Sequence, residues 1–218
     1  QLSTANIQAL TSDQAKALTG AQLGALTSAQ VAAMDTVDLA QLTSTQIQSL
    51  GNAALTGLTT AQVNNLGTNQ VAALKADQLK VLSTNQIVAL STAQAAALTS
   101  AQVGGLSPTQ VASMQTEDLA ALTNSALNAL QATQIKALST SQAAGLSTAQ
   151  AGALSKVFTA SLTSAQVQAM ETADLVKLTT SALQALNNKA LAGLTTDQVA
   201  NLGTAQVAAL TDMQFKQL

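Results

Sequence analysis

The chain has 218 residues, and its composition excludes most kinds of chemistry before any motif is considered. Hydrophobic residues make up 47% of the chain, whereas 1% are aromatic and 8% are charged, and Cys, His, Trp, Tyr and Arg are absent. Without Cys or His there is no thiolate or imidazole to act as nucleophile, as general base near neutral pH, or as a usual zinc or haem ligand. We therefore expect neither an enzyme nor a cofactor.

The charge pattern also limits the partners. All eight cations are Lys, the ten acids leave a net charge of −2, and Phe158 and Phe215 are the only aromatic residues. The chain thus lacks the basic surface and the stacking side chains of proteins that bind nucleic acid. The uncharged stretches 39–74 and 81–116 carry a polar residue every two or three positions, which is not typical of a transmembrane helix. We expect no nucleic-acid partner and no insertion into a membrane.

An eight-residue repeat runs along the chain from Leu2 to Leu218. Every eighth residue is Leu, except for Met34, Met114 and Met170. We number this residue position 1 of the repeat, which we call an octad. The consensus is Leu, Thr or Ser, two variable residues, Gln, an aliphatic residue, one variable residue and Ala. A repeat of this kind predicts one continuous array over residues 1–218, comprising 27 octads and forming part of, or a unit within, a longer assembly.

The octad predicts a short helix with its own start signal, as Leu26, Thr27, Gln30 and Val31 illustrate. Position 2 is Ser or Thr in 18 of 27 octads, and Gln follows three residues later in 18 of 27. Ser/Thr-x-x-Gln is a capping box, and the apolar residues at positions 1 and 6 flank it as a hydrophobic staple does. One long helix is excluded, because a step of eight residues turns about 80° around a helix axis.

Proline and glycine support the same helix boundaries. Pro108 lies at position 3, the first helical residue, and ten of the eleven glycines lie at positions 7, 8 or 2, where one helix ends and the next begins. The sequence therefore predicts an all-α solenoid of very short capped helices, with positions 1 and 6 in a narrow core. A β-solenoid is the alternative, since eight is an even number and keeps a strand in phase.

Three octads depart from the consensus by carrying Asp in place of Gln, in the pattern Met-x-Thr-x-Asp-Leu. With further acids beside them, these residues could form a calcium site shared between turns. We favour a variant cap, in which the Thr starts the helix one residue later and the Asp complements its N-terminus. The Asp residues are Asp38, Asp118 and Asp174, the neighbouring acids are Asp35, Glu117 and Glu171, and the Thr residues are Thr36, Thr116 and Thr172.

Two further features have alternative interpretations. The Gln column at position 5 could form ladders along the stack or mediate fibre contacts, but local capping already explains its spacing, and we favour that role. The octad 154–161 replaces Gln with Phe158 and the apolar residue at position 6 with Thr159. We interpret it as a compensated imperfection rather than a kink or contact point.

The whole chain resembles Leu-Thr-x-x-Gln-Val-x-x-Leu tracts of large, low-complexity bacterial proteins that are secreted or lie on the cell surface. The resemblance implies an extracellular adhesin-like or matrix-forming role and carries no functional residues with it. The terminal octads are as apolar as the others. We therefore expect a structural protein that associates with itself into a filament, sheath or matrix. The alternative is a rigid stalk or binding module of a large adhesin, with cell-surface components as partners.

Overall fold

A computed structural model describes residues 2–218 and shows one short α-helix for each octad. The helices contain four to six residues, and no strand occurs among the described residues. The prediction of an all-α solenoid is confirmed, and the β-solenoid is excluded. The helices, in chain order, are α1 Thr4–Gln8, α2 Ser12–Lys16, α3 Gly20–Gly24, α4 Ser28–Ala33, α5 Thr36–Gln41, α6 Ser44–Gln48, α7 Asn52–Leu55, α8 Thr60–Asn65, α9 Thr68–Ala73, α10 Ala76–Lys80, α11 Thr84–Val88, α12 Thr92–Ala96, α13 Ser100–Gly105, α14 Pro108–Ser113, α15 Thr116–Ala121, α16 Asn124–Leu127, α17 Ala132–Ala137, α18 Thr140–Ala144, α19 Thr148–Gly152, α20 Lys156–Ser161, α21 Ser164–Ala169, α22 Thr172–Leu175, α23 Thr180–Gln184, α24 Asn188–Leu191, α25 Thr196–Ala200, α26 Thr204–Ala209 and α27 Asp212–Phe215.

Each helix begins at position 3 of its octad, where the capping signal of the consensus predicts the start. In α4 the Thr27 hydroxyl accepts a hydrogen bond from the Gln30 backbone N–H at 3.3 Å, and Gln30 Oε1 accepts one from the Thr27 backbone N–H at 2.8 Å. Pro108 is the first residue of α14, as predicted, where a missing N–H leaves no helical hydrogen bond unmade. The octad therefore encodes a complete helix start, and the following octad's cap ends the helix.

The chain divides into two compact units, Gln1–Leu106 and Ser107–Leu218. Within the first unit each helix packs on the helix three octads further along, as α4 does on α7 and α6 on α9. The second unit follows the same rule, as α14 and α17 or α18 and α21 show. Each unit is thus a solenoid with three helices, or 24 residues, in each turn. None of the helices in residues 2–218 is long and apolar enough to cross a membrane.

The core of both units consists of positions 1 and 6, as predicted. Val31, Met34, Met114 and Met170 are at most 4% exposed, whereas Leu26, at the start of the second turn, is only half-buried. Position 5 is also buried in most octads, whether it is Gln, Asp, Ala or Phe. The burial of this third position was not predicted from the sequence, and it places the position 5 side chain between successive turns.

Position 8 brings the chain closest to the turn before it. A Cβ atom added to Gly57 would overlap the Ser28 backbone carbonyl, and one added to Gly193 would lie 2.6 Å from Ser164 Oγ. No described glycine has a positive φ. These glycines are therefore required by the available space and not by backbone conformation.

Replacing Gly57 with Ala is expected to destabilise the protein by about 1–3 kcal/mol, because the added methyl group forces the Ser28 turn to move. Chemical denaturation followed by circular dichroism measures the change. Gly152→Ala is the matched control, since its Cβ would make an ordinary contact at 3.5 Å with the Lys177 carbonyl. Equal effects of the two substitutions would contradict the close approach at Gly57.

Candidate functional site

The glutamines at position 5 connect each turn to the one before it. Gln94 shows the arrangement: its Oε1 accepts a hydrogen bond from the Ser91 backbone N–H at 2.7 Å. Its Nε2 donates to the carbonyls of Val63 at 2.8 Å and Leu66 at 2.6 Å, which belong to the preceding turn. One side chain, 2% exposed, thus caps its own helix and bonds to the end of another.

The same two-sided bonding recurs along both units. Wherever Nε2 bonds to the preceding turn, an acceptor lies 28 residues earlier in the chain, at position 1. These glutamines are Gln30, Gln46, Gln62, Gln70, Gln78, Gln86, Gln94, Gln102, Gln142, Gln150, Gln166, Gln198, Gln206 and Gln214. The predicted local capping is therefore only one of the two roles of the position 5 glutamines. They also form a ladder along the stack, in which each side chain bonds to the backbone of the preceding turn.

Helix ends explain why this arrangement suits so short a helix. A helix leaves four N–H groups and four carbonyls without partners within the helix, and in a helix of four to six residues these groups are most of the backbone. A buried group without a partner costs about 1–3 kcal/mol. A side-chain amide has both an acceptor and two donors, so Gln serves a helix start and a helix end at once.

The Met residues at position 1 take part through their backbone. The carbonyl of Met34 accepts from Gln62 at 2.8 Å, that of Met114 from Gln142 at 2.8 Å, and that of Met170 from Gln198 at 2.8 Å. Their side chains lie in the core as leucines do elsewhere. These positions therefore keep the structural role that the octad predicts.

The predicted helix start one residue later is wrong for the three Asp octads, whereas the predicted place of the Asp in the first turn of the helix is confirmed. Thr36, Thr116 and Thr172 are first helical residues, so these helices start at position 3 like all the others. The N-caps are Asp35, Gln115 and Glu171. The repeat register outweighs the local preference of Thr for the cap, because a shifted start would displace the core residues that follow.

The acids at position 5 are buried between turns. Asp38, Asp118 and Asp174 are 5%, 3% and 2% exposed. The Asp38 carboxylate accepts a hydrogen bond from the Ser12 hydroxyl, which lies one turn earlier. Within residues 2–218, no three side chains of His, Cys, Asp or Glu come together to hold a metal ion. A site built from several carboxylates is therefore not assembled.

The octad 154–161 is compensated from the preceding turn. Phe158 is 1% exposed and has no amide to reach back to the helix start. Instead, Asn128 Oδ1 accepts from the Ser155 backbone N–H at 2.7 Å, and Asn128 Nδ2 donates to the Ala153 carbonyl at 2.8 Å. The Thr159 hydroxyl donates to carbonyls of its own helix. The octad keeps its place in the stack with a different set of bonds.

Asn187 performs a similar function where position 5 is Ala190. Its Oδ1 caps α24 by accepting from the Ala190 backbone N–H at 3.0 Å. Its Nδ2 donates to the Leu162 carbonyl at 3.0 Å, the acceptor that lies 28 residues before position 5. The signal for this role in the sequence is an Asn at the cap position of an octad that lacks Gln three residues later.

The substitution Gln94→Glu is expected to destabilise the protein by about 3–5 kcal/mol at neutral pH, because a buried carboxylate then faces two carbonyls. The cap at Ser91 is retained, since Glu still supplies an acceptor. The folded state favours the neutral acid, so the pKa of this Glu rises above about 4.3. The deficit is therefore smallest below pH about 4.3 and grows as the pH increases.

Denaturant titrations of wild type and variant at several pH values measure this deficit. The control is Gln14→Glu, because Gln14 is exposed and its Nε2 has no partner in residues 2–218, whereas its Oε1 caps Thr11 at 2.9 Å. If Gln14→Glu destabilises the chain as much as Gln94→Glu, the bonds between turns do not contribute as described.

A double-mutant cycle tests the compensation at Phe158. Asn128→Ala removes both bonds to the next turn and is expected to cost about 1–3 kcal/mol. In a Phe158→Gln background the new amide can accept from Ser155, so the same substitution should cost less. Additive effects in thermal unfolding would show that the two residues act independently.

Comparison with protein families gives a match over most of the chain. The model of the ALTTAQ repeat matches residues 1–28, 31–68, 71–108, 111–148 and 167–204. The stretch between the last two matches contains Phe158 and Thr159, where the octad departs most from its consensus. The six letters of the repeat's name correspond to position 8 of one octad and positions 1 to 5 of the next, as residues 25–30 show. A search of curated proteins finds no match. The chain belongs to the ALTTAQ repeat family, whose tandem repeats of about 38 residues span about five octads each.

Proposed function

We propose that this chain is a structural repeat protein that associates with itself, turn upon turn, into a filament, sheath or matrix. The observation that supports the proposal is the bonding of Gln between turns. Turns that contain these glutamines present amide donors towards the turn before them and helix-end carbonyls towards the turn after them. Since the two surfaces are complementary wherever they occur, a turn of another copy can replace a turn of the same chain.

The first turn of the described residues contains amide donors of this kind. Gln14 and Gln22 are exposed there, whereas the corresponding glutamines of later turns are mostly buried. Beside them lies a cavity of about 250 Å³ lined mainly by Leu2, Leu18 and Leu26. Leu2 is 52% exposed. Apolar groups and amide donors thus occupy one surface together.

The last turn of the described residues contains acceptors of this kind. No side chain in residues 2–218 donates to the carbonyls of Leu194, Leu202 or Leu210, which stand where Gln acceptors stand in earlier turns. Met213 and Phe215 are 68% and 59% exposed. Contact between two unlike surfaces of identical copies is heterologous, and it produces a filament or a ring.

The proposal includes an extracellular or cell-surface location, which is supported by the resemblance to secreted bacterial repeat tracts. A rigid stalk within a large adhesin uses the same turn-upon-turn bonding inside one chain. The proposal assigns no catalytic role and no cofactor to the chain.

Sedimentation velocity and negative-stain electron microscopy of the 218-residue chain test self-association. We expect linear or ring-shaped oligomers whose size increases with concentration from micromolar to millimolar. Monodisperse single particles at the highest concentration would refute self-association and favour the alternative function, a rigid stalk.

The variant Gln14→Glu/Gln22→Glu tests the surface involved. Both substitutions keep the caps and replace only the donors, so the variant should fold normally and associate at least about tenfold more weakly, because carboxylates then face carbonyls. The control Gln8→Glu/Gln41→Glu adds the same charge at exposed positions of the same unit. Equal association of the two variants would exclude the first turn as the donor surface.

A further inference from the structure

Side chains at position 7 of the octad extend towards the following turn. The amides of Gln48, Asn64 and Asn128, all at position 7, donate to carbonyls 25 residues later, at 3.0, 3.1 and 2.8 Å. Lys136, in α17, occupies the same position of its octad. It lines a cavity at the start of α21, beside Leu162.

A second Lys approaches this cavity from the opposite side. Lys189 lies in α24, which packs on α21. The N-cap of α24, Asn187, is fixed to the start of the α21 octad, because its Nδ2 donates to the Leu162 carbonyl at 3.0 Å. Asn187 and Lys189 both line the cavity. The cavity therefore lies between a Lys of the turn before α21 and a Lys of the turn after it.

The wall of the cavity supplies donors besides the two ammonium groups. The cavity has a volume of about 360 Å³, and Thr163 and Ser164 complete its lining. The Thr163 hydroxyl accepts from the Gln166 backbone N–H at 3.3 Å, which leaves its proton free to donate. The Ser164 hydroxyl makes no hydrogen bond within residues 2–218. The lining contains no Asp or Glu, so the cavity is suited to a negatively charged group.

The two Lys residues of the cavity lack the acidic neighbours that other Lys residues have. Lys16 and Lys80, also at position 7, follow an Asp at position 4 of the same octad. Before Lys136 that position is Thr133, and no acid lies within four residues of Lys189. Neither Lys136 nor Lys189 forms an ion pair within the part of the chain that the structure describes. Like charges that face one space repel each other, and an anion between them removes the repulsion.

We propose that the cavity binds a doubly charged oxyanion, such as a phosphate or sulfate group, between Lys136 and Lys189. The hydroxyls of Thr163 and Ser164 donate to the same group, and Lys binds such groups as a point charge. The volume falls at the lower end of the range of small-molecule sites, about 300–1,000 Å³, so it also accommodates a small carrier of the anion. The inference concerns the second unit alone and does not depend on self-association.

Nuclear magnetic resonance titration of the isotope-labelled full chain with sodium phosphate, at constant ionic strength, tests the proposal. The backbone amide signals of Ser164 and Lys189 should shift to saturation with one common dissociation constant. Lys136→Gln/Lys189→Gln should weaken binding about tenfold, because each exposed ion pair contributes a factor of up to about five. Glucose phosphate is titrated in parallel. Tighter binding than that of inorganic phosphate assigns the site to a phosphorylated small molecule, and binding that is no tighter assigns it to the anion itself.

The matched control is Lys156→Gln/Lys177→Gln, which removes two exposed Lys residues of the same unit that do not line the cavity. It should change the affinity by less than about twofold, since charges at a distance are screened by salt. Circular dichroism should be the same for both variants and wild type, because all four side chains are exposed. Equal weakening by the two variants, or signals of wild type that do not saturate with either ligand, would overturn the proposal.

Discussion

The fold depends on one interaction, the hydrogen bonding of a buried Gln amide to two helices in successive turns. A helix of four to six residues cannot satisfy most of its own backbone, and it does not persist alone in water. The amide of a residue such as Gln94 serves the start of its own helix and the end of a helix one turn earlier. The helices therefore form only as a stack.

Substitutions at position 5 show what this interaction requires. In two octads that lack Gln, a donor and an acceptor reach the same region from elsewhere, from Asn187 at the cap and from Asn128 in the preceding turn. Asp is the substitution that brings an acceptor and no donor. Asn supplies both a donor and an acceptor beside Ala190 and Phe158, whereas Asp38 supplies an acceptor, to which the Ser12 hydroxyl donates.

Much of the local structure could be predicted from the sequence. The capping box around Thr27 and Gln30, the first-turn Pro108 and the core positions of Val31 and Met34 all depend on residues within one octad. The predicted cap at Thr36 was wrong because local preference for Thr competes with the register of the core. The donors of Gln were missed because their acceptors lie 28 residues away in the chain.

The sequence by itself determined the repeat length, the helix boundaries and the residues that face the core, because capping and burial act over distances of a few residues. The tertiary structure decided that three helices complete a turn. It also decided that position 5 lies between turns and that Gly57 approaches Ser28. These features follow from the angle between successive helices. The repeated octad does not determine that angle, because any number of helices per turn is compatible with the same eight-residue period.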